Sequence, residues 1–188
     1  MLALPICAGF VLVVLAFLLV FYIFSIYNGL IQLRNNVDKA WANIDVLLKQ
    51  RSDLVPNLVE TVKGYEKHEK AIFENVAQMR SAMMSAQGPA AKAKANDMLS
   101  SALRSIFAVA ENYPELQASN NFLELQKQLE SIENQIADRR EFYNDSVMLY
   151  NTRIKVLPDT VIAGIIGCKE TEYFKATESE KQNVEVKF

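Results

Sequence analysis

The chain is poor in the residues that most often carry chemistry. It has one histidine, His68, and two cysteines, Cys7 and Cys168, in 188 residues. Inward-facing Glu-x-x-His pairs, which build carboxylate-bridged metal centres in helical bundles, are therefore missing: Glu stands at 66 and 69, and Tyr65 occupies the place that the motif needs. A Cys/His zinc site lacks ligands, and two cysteines make no disulfide framework. His68 with Glu66 or Glu69 is the one mononuclear arrangement left, and a loop or helix-end residue is the simpler reading. No Gly-rich phosphate loop occurs, and no Ser or Cys stands in a nucleophile motif with a base. Lys169 beside Cys168 could activate a thiol, but a lone cysteine near a tail is more often inert. Lys and Arg total 20 against 22 Asp and Glu, so no basic stripe invites nucleic acid. No catalytic, cofactor-binding or metal residue is assigned, no cofactor is expected, and the chain reads as a non-enzyme.

Charge is also absent from Leu2 to Tyr27, and this absence is the most informative. The run exceeds the roughly 20 residues with which an α-helix crosses about 30 Å of hydrocarbon. A cleaved signal would need a basic n-region, a shorter apolar core and a small-residue cleavage site, none of which is present. Residues 1–27 are thus expected to be a retained single-pass anchor in membrane lipid. No Lys or Arg precedes the span, whereas Arg34, Lys39, Lys49 and Arg51 come after it, which favours the bulk of the chain on the cytoplasmic side.

Beyond the span the apolar spacing is helical. Leu30, Leu33, Val37, Ala40, Ile44, Leu47, Leu54, Leu58, Val62 and Tyr65 form a heptad stripe like that of a coiled coil, widened by Trp41, Leu48 and Val55. The membrane helix is expected to run into this one, with a hinge at Gly29 and a kink or break near Pro56, which cannot donate to the Ser52 carbonyl. Further helices are predicted over Ala71 to Ala86, Ala90 to Glu111, and from about Pro114 to Pro158. The last carries Phe122, Leu125, Leu129, Ile132, Ile136, Tyr143, Tyr150, Ile154 and Leu157 inward, with Arg139 in the one polar slot. The fold class is all-α: an N-terminal transmembrane helix continuing into an antiparallel bundle of about four helices. The expected divisions are 1–27 for the anchor, 28–158 for the bundle and 159–188 for a tail. That tail contains a short apolar run, Val161 to Ile166, and an alternating end, Asn183 to Phe188.

Two arginines, Arg51 and Arg139, interrupt core stripes. The simpler expectation is a packed stem with the head in water; if buried, each needs a partner, with Asp45, Asp53, Glu133 and Asp145 as candidates. Tyr143-Asn144 and Tyr150-Asn151 repeat seven residues apart, which suits interhelical hydrogen bonds. Met79, Met83 and Met84 read as core filling rather than as an adaptable binding surface.

Taken together, Tyr27-Asn28, Ala40-Trp41, Ile44-Asp45-Val46, the segment Asp53-Leu54-Val55-Pro56-Asn57-Leu58-Val59, Thr61 to Tyr65 and His68-Glu69 resemble the signature of the bacterial LemA family. Tyr113-Pro114-Glu115-Leu116, Asn121-Phe122, Tyr143-Asn144, Tyr150-Asn151, Pro158 and Tyr173-Phe174-Lys175-Ala176 continue the match across nearly the whole chain. Gln50, where a basic residue is common, and Glu185, where proline is frequent, depart from it. The resemblance implies a bacterial membrane-anchored bundle without an established enzymatic activity, whose relatives are linked to membrane proteases, to signalling and to the building of magnetosome membranes. Two functions are expected from this: a self-assembling homo-oligomer that organises or remodels the cytoplasmic membrane, or an adaptor for a membrane protease or sensor. On the anchor itself, the full chain is expected to remain in membranes through carbonate extraction with its N-terminus uncleaved; release of intact protein, or a mature chain beginning near residue 28, would contradict it.

Overall fold

The computed structural model describes residues 3–65 and 69–175, with side chains from residue 9 onward. Six helices and no strand occur among them: α1 (Ala3–Lys63), α2 (Lys70–Ser85), α3 (Pro89–Ala110), α4 (Pro114–Gln117), α5 (Asn120–Arg153) and α6 (Asp159–Ile165). The all-α expectation holds. The alternating segment Asn183 to Phe188, together with Glu66 and His68, lies outside the described residues. Two compact units share the two long helices: one is Met1–Lys39 with Asp145–Thr171, the other Ala40–Asn144 with Glu172–Phe188.

The second unit is a four-helix arrangement built from α1, α2, α3 and α5. On α1, positions 44, 51 and 58 and positions 48, 55 and 62 recur at sevens and are all buried. Leu54 is only half-buried and Tyr65 is exposed, because the seam runs through Leu48 and Val55 instead. Cross-contacts give the directions. Lys63 lies over the Phe73 ring and Ser52 meets Arg80, so α2 returns antiparallel to α1. Asp45 pairs with Lys92 and Arg51 with Asn96, so α3 runs parallel to it. Arg51 meets Glu133 and Trp41 meets Tyr143, so α5 runs antiparallel.

The breaks between helices arise from single residues. Gly88 takes a positive φ of 79° at the N-cap of α3, and Pro89 fills N1, where the missing N–H costs nothing. Pro114 likewise opens a helix, but only the four-residue α4; the chain turns again before α5 starts at Asn120. In α3 the buried residues Ala93, Ala95, Ala102 and Ala110 keep its packed face small, while Phe107 meets Phe122 of α5 edge-on at 6.0 Å.

α1 continues as one helix through Asn28-Gly29 and Pro56, so the break expected near Pro56 does not occur. At Gly29 the intrinsic cost of glycine in a helix, about 1 kcal/mol, is small beside the burial of the adjacent Leu30. At Pro56 the reason is more specific. Its ring leaves the Ser52 carbonyl without a helical donor, and Arg80 of α2 supplies one, its Nε donating to Ser52 O at 2.8 Å. A backbone group that a proline orphaned thus becomes a helix–helix contact.

In α5 the buried series is Phe122, Leu129, Ile132, Ile136, Tyr143, Val147, Tyr150 and Ile154. Two successive four-residue steps, 132 to 136 to 140, shift the seam by one residue, so that half-buried Arg140 takes the place expected of Arg139, which is exposed. Val147 enters the core for the same reason, and Leu157, expected inside, is 77% exposed because α5 has already ended at Arg153.

In the first unit every residue from Gly9 to Ser25 is exposed, and burial on α1 begins abruptly at Ile26 and Leu30. The apolar run near the C-terminus forms α6. Its end is a Schellman turn: Gly167, at φ 71°, donates to Gly164 O, and Cys168 N donates to Ala163 O at 2.9 Å.

The Pro56–Arg80 compensation is testable in the full chain in detergent micelles. Arg80→Met is expected to cost about 1 kcal/mol by leaving the Ser52 carbonyl unpaired. In a Pro56→Ala background, where residue 56 regains its N–H, the same change should cost distinctly less. Additive losses in a double-mutant cycle would show that the two residues are independent.

Candidate functional site

The most polar point inside the second unit is Arg51, which α1 presents at a core heptad position. It is 5% exposed. Its Nη1 donates to Asn96 Oδ1 at 2.6 Å, and its Nη2 lies 2.6 Å from Glu133 Oε2. Asn96 is buried, whereas the Glu133 side chain is 45% exposed. Burial pushes the Arg51 guanidinium below its ordinary value, Glu133 and Asp97 oppose that shift, and Arg104 adds to it. The expectation of a head reaching water is therefore overturned at Arg51, since three helices enclose it. Among the proposed partners Glu133 takes the role, while Asp45 is engaged with Lys92, whose ammonium also lies 5.9 Å from the Trp41 ring centroid. At Arg139 the exposed reading stands.

An open cavity of about 380 Å³ adjoins this pair, lined by Arg51, Ser100, Arg104, Glu130 and Glu133 over an apolar floor that includes Leu103 and Phe107. Arg51 Nε and Ser100 Oγ are buried without a hydrogen-bond partner among the described residues. Two guanidinium groups against two carboxylates leave the lining close to neutral. It contains no His, Cys or Lys that could serve as base or nucleophile for Ser100. Among the described residues no group of three or more His, Cys, Asp or Glu side chains is placed to hold a metal ion.

The two Tyr-Asn pairs do something other than join helices. In the second unit Asn144 clasps the backbone of Phe174 reciprocally: its Nδ2 donates to Phe174 O and its Oδ1 accepts from Phe174 N, both at 3.0 Å. Tyr143 adds a hydrogen bond from its hydroxyl to Glu172 O at 2.8 Å. The Phe174 ring, 1% exposed, then packs against Trp41 with centroids 6.1 Å apart, and Trp41 meets Tyr143 at 5.7 Å. Trp41 is itself half-buried, covered by the segment after α6 together with Tyr143 of α5 and Lys92 of α3. In the first unit Asn151 repeats the clasp on Thr171, with both hydrogen bonds at 2.9 Å. Beside it, burial and a hydrogen bond with Cys168 push the Tyr150 phenol up to about 12. The expected interhelical bonds are replaced by side chain to backbone bonds because an extended segment, unlike a helix, has free N–H and C=O groups to offer. Sequence spacing exposes the two asparagines but not their partner, for nothing in residues 171–175 signals where they dock.

Of the methionines, Met83 is buried, Met79 half-buried and Met84 exposed, so core filling accounts for the first two. Cys168 is half-buried and engaged with Tyr150.

The described residues form an all-α bundle together with one helix long and apolar enough, by length and composition, to cross a membrane. The family model for the LemA family matches residues 40–188, and the chain belongs to that family. It is similar to the magnetosome protein MamQ of Magnetospirillum gryphiswaldense, 26% identical over 174 residues that cover 79% of this chain and 64% of that protein. Magnetosome protein MamQ 2 of Paramagnetospirillum magneticum is 27% identical over 175 residues with the same coverage. Protein LemA of Metamycoplasma hominis is 23% identical over 162 residues, covering 84% of this chain and 73% of that protein. The chain thus spans a little under two thirds of the length of the MamQ relatives.

The uneven exposure of the Arg51–Glu133 pair sets unequal costs for its two halves. Glu133→Ala, which strands a buried guanidinium, should lower the stability of the full chain in micelles by about 3 kcal/mol, whereas Arg51→Met, which leaves a carboxylate near solvent, should cost about 1 kcal/mol. Equal losses in chemical denaturation would show that Arg51 is not the desolvated partner.

Proposed function

We propose that the protein is a non-enzymatic, single-pass scaffold of the bacterial cytoplasmic membrane that self-assembles and thereby organises or remodels that membrane. The observation that carries this reading is the division of α1 into a fully exposed apolar stretch and a buried stripe on the same unbroken helix. The exposed stretch calls for lipid, and the stripe ties the anchor to a folded bundle through backbone rather than through a linker. The Lys and Arg residues just after the span favour the cytoplasmic side for the bundle. Similarity to proteins named for the magnetosome supports a role at a membrane.

Lateral association draws mainly on the bundle. The span has few small residues beyond Ala8, Gly9 and Ala16 with which to pack closely against another helix. Outside it, Val46 and Phe142 of one unit and Met148 and Leu149 of the other are large apolar residues more than half exposed. The second reading, an adaptor that offers the bundle to a membrane protease or sensor, uses the same surface for a different partner. Stoichiometry separates them. Single cysteines placed along residues 30–50, with Cys7 and Cys168 replaced, are expected to crosslink into a ladder in native membranes at low expression, and the mass in mild detergent should be that of an oligomer. A monomeric mass with no crosslinked dimer would favour the adaptor.

A further inference from the structure

The end of α5 and the turn through α6 carry an apolar surface that neither the bundle core nor the scaffold reading uses. Leu157 and Ile165 are each 77% exposed and Val161 is 56% exposed, as bare as Phe17 (77%) and Leu18 (61%) of the span. Val161 and Ile165 stand one turn apart on one face of α6. From Val156 to Cys168 the sequence has one charged residue, Asp159. That carboxylate is buried and paired with Arg153, so the exposed part of the hairpin presents no charge to its surroundings.

The location of this surface along α1 is given by contacts inside the same unit. Tyr150 of α5 feels the charges of Arg34 and Asp38 on α1. Beyond Tyr150, α5 ends at Arg153, and Ile154, Asp159 and Ala163 after it are buried in the same compact unit as Ile26 and Leu30 of α1. Ile26 is the first buried residue after the exposed run from Gly9 to Ser25, which is where a lipid-facing helix first meets protein. The chain then comes back: the Schellman turn at Gly167 returns Cys168 to Tyr150, and Asn151 fastens Thr171. Residues 154–167 therefore form a hairpin beyond the end of α5, in the same compact unit as the end of the apolar run. Tyr22 and Tyr27, both exposed, bracket the end of that run with side chains suited to a headgroup region.

We infer that the α6 hairpin is a second membrane-contact site, with Leu157, Val161 and Ile165 inserted among the headgroups and upper acyl chains of the leaflet at the C-terminal end of the span. The occupant is lipid rather than a second copy, because the apolar face belongs to the same compact unit as the exposed apolar run and its one charge is withdrawn and neutralised. An uncharged apolar turn beside a transmembrane helix suits the interface, where its remaining backbone groups meet headgroups and water. The inference rests on α1 being the anchor, and the test keeps the two claims apart.

In full-length protein lacking Cys7 and Cys168, a single cysteine carrying an NBD fluorophore is placed at Val161, at Ile165, at Phe17 as the lipid control or at Asp138 as the aqueous control. Each variant is reconstituted into phosphatidylcholine–phosphatidylglycerol nanodiscs holding one copy. The expected result is a blue-shifted emission at 161 and 165 that loses intensity with doxyl-labelled lipid and resists iodide, as at 17 and unlike 138. Iodide quenching at 161 and 165 with lipid quenching retained at 17 would overturn the hairpin site and leave the anchor standing. Iodide quenching at 17 would overturn the anchor and this inference with it. Protection at 165 that appears only in discs holding two or more copies would assign the face to self-association and overturn the lipid assignment.

Discussion

From Gly9 to Ser25 α1 buries no side chain in protein, and from Ile26 to Val62 it buries one at almost every third or fourth position. One unbroken helix is therefore bare along its apolar first part and packed along the rest, and the remaining structure answers to that division. Along the bare part the backbone bonds within the helix, which the charge-free run permits without side-chain help. In the bundle every departure from helical bonding has to be repaired from another helix. Pro56 is the clearest instance: Arg80 restores to Ser52 the donor that proline removed, and the helix continues past it.

How much of this is legible in the sequence depends on whether the signal is local. The heptad spacing, the missing charge and the Gly-Pro and Tyr-Pro breaks are local, and they place α1, α2 and α3 to within a few residues of their observed ends, but miss α5 at its start, Asn120 rather than Pro114, and at its close. The period predicts that end at Pro158, five residues too late, because the apolar residues Ile154 and Leu157 keep the spacing after the helix has stopped. The one-residue shift at 132–140 is hidden as well, since Arg139 and Arg140 are both basic and either could stand for the polar slot. Pairings over long separations leave no sequence signal at all. Arg51 with Asn96 and Glu133, or Asn144 with Phe174, are choices among many equivalent residues until the helices are packed.

Those long-range polar pairings share a physical role. An apolar heptad seam tolerates sliding by a turn at modest cost, because one Leu or Ile replaces another in the same groove. A buried guanidinium does not, since moving it one turn from Glu133 and Asn96 would strand it in an apolar environment. Arg51 thus fixes the register of α1 against α3 and α5 more firmly than the hydrophobic residues around it. Asn144 does the same for the segment after α6: its amide offers one donor and one acceptor at the spacing of a single residue's N–H and C=O, so it accepts Phe174 and rejects a neighbour whose side chain could not fill the space beside Trp41.

This use of polar residues also bears on what the protein does. In an enzyme, buried polar groups converge on a space that a substrate can enter, with at least one of them able to give or take a proton near neutral pH. Here Asn144 and Asn151 are occupied on both amide atoms by backbone, and the Tyr150 phenol is pushed further from neutrality by burial. Arg51 is a permanent cation held by two partners. The Ser100 hydroxyl has neither base nor oxyanion donor assembled around it in the cavity lining. Polar chemistry is used among the described residues to hold helices and the segment after α6 in register, which gives the bundle a surface of fixed shape.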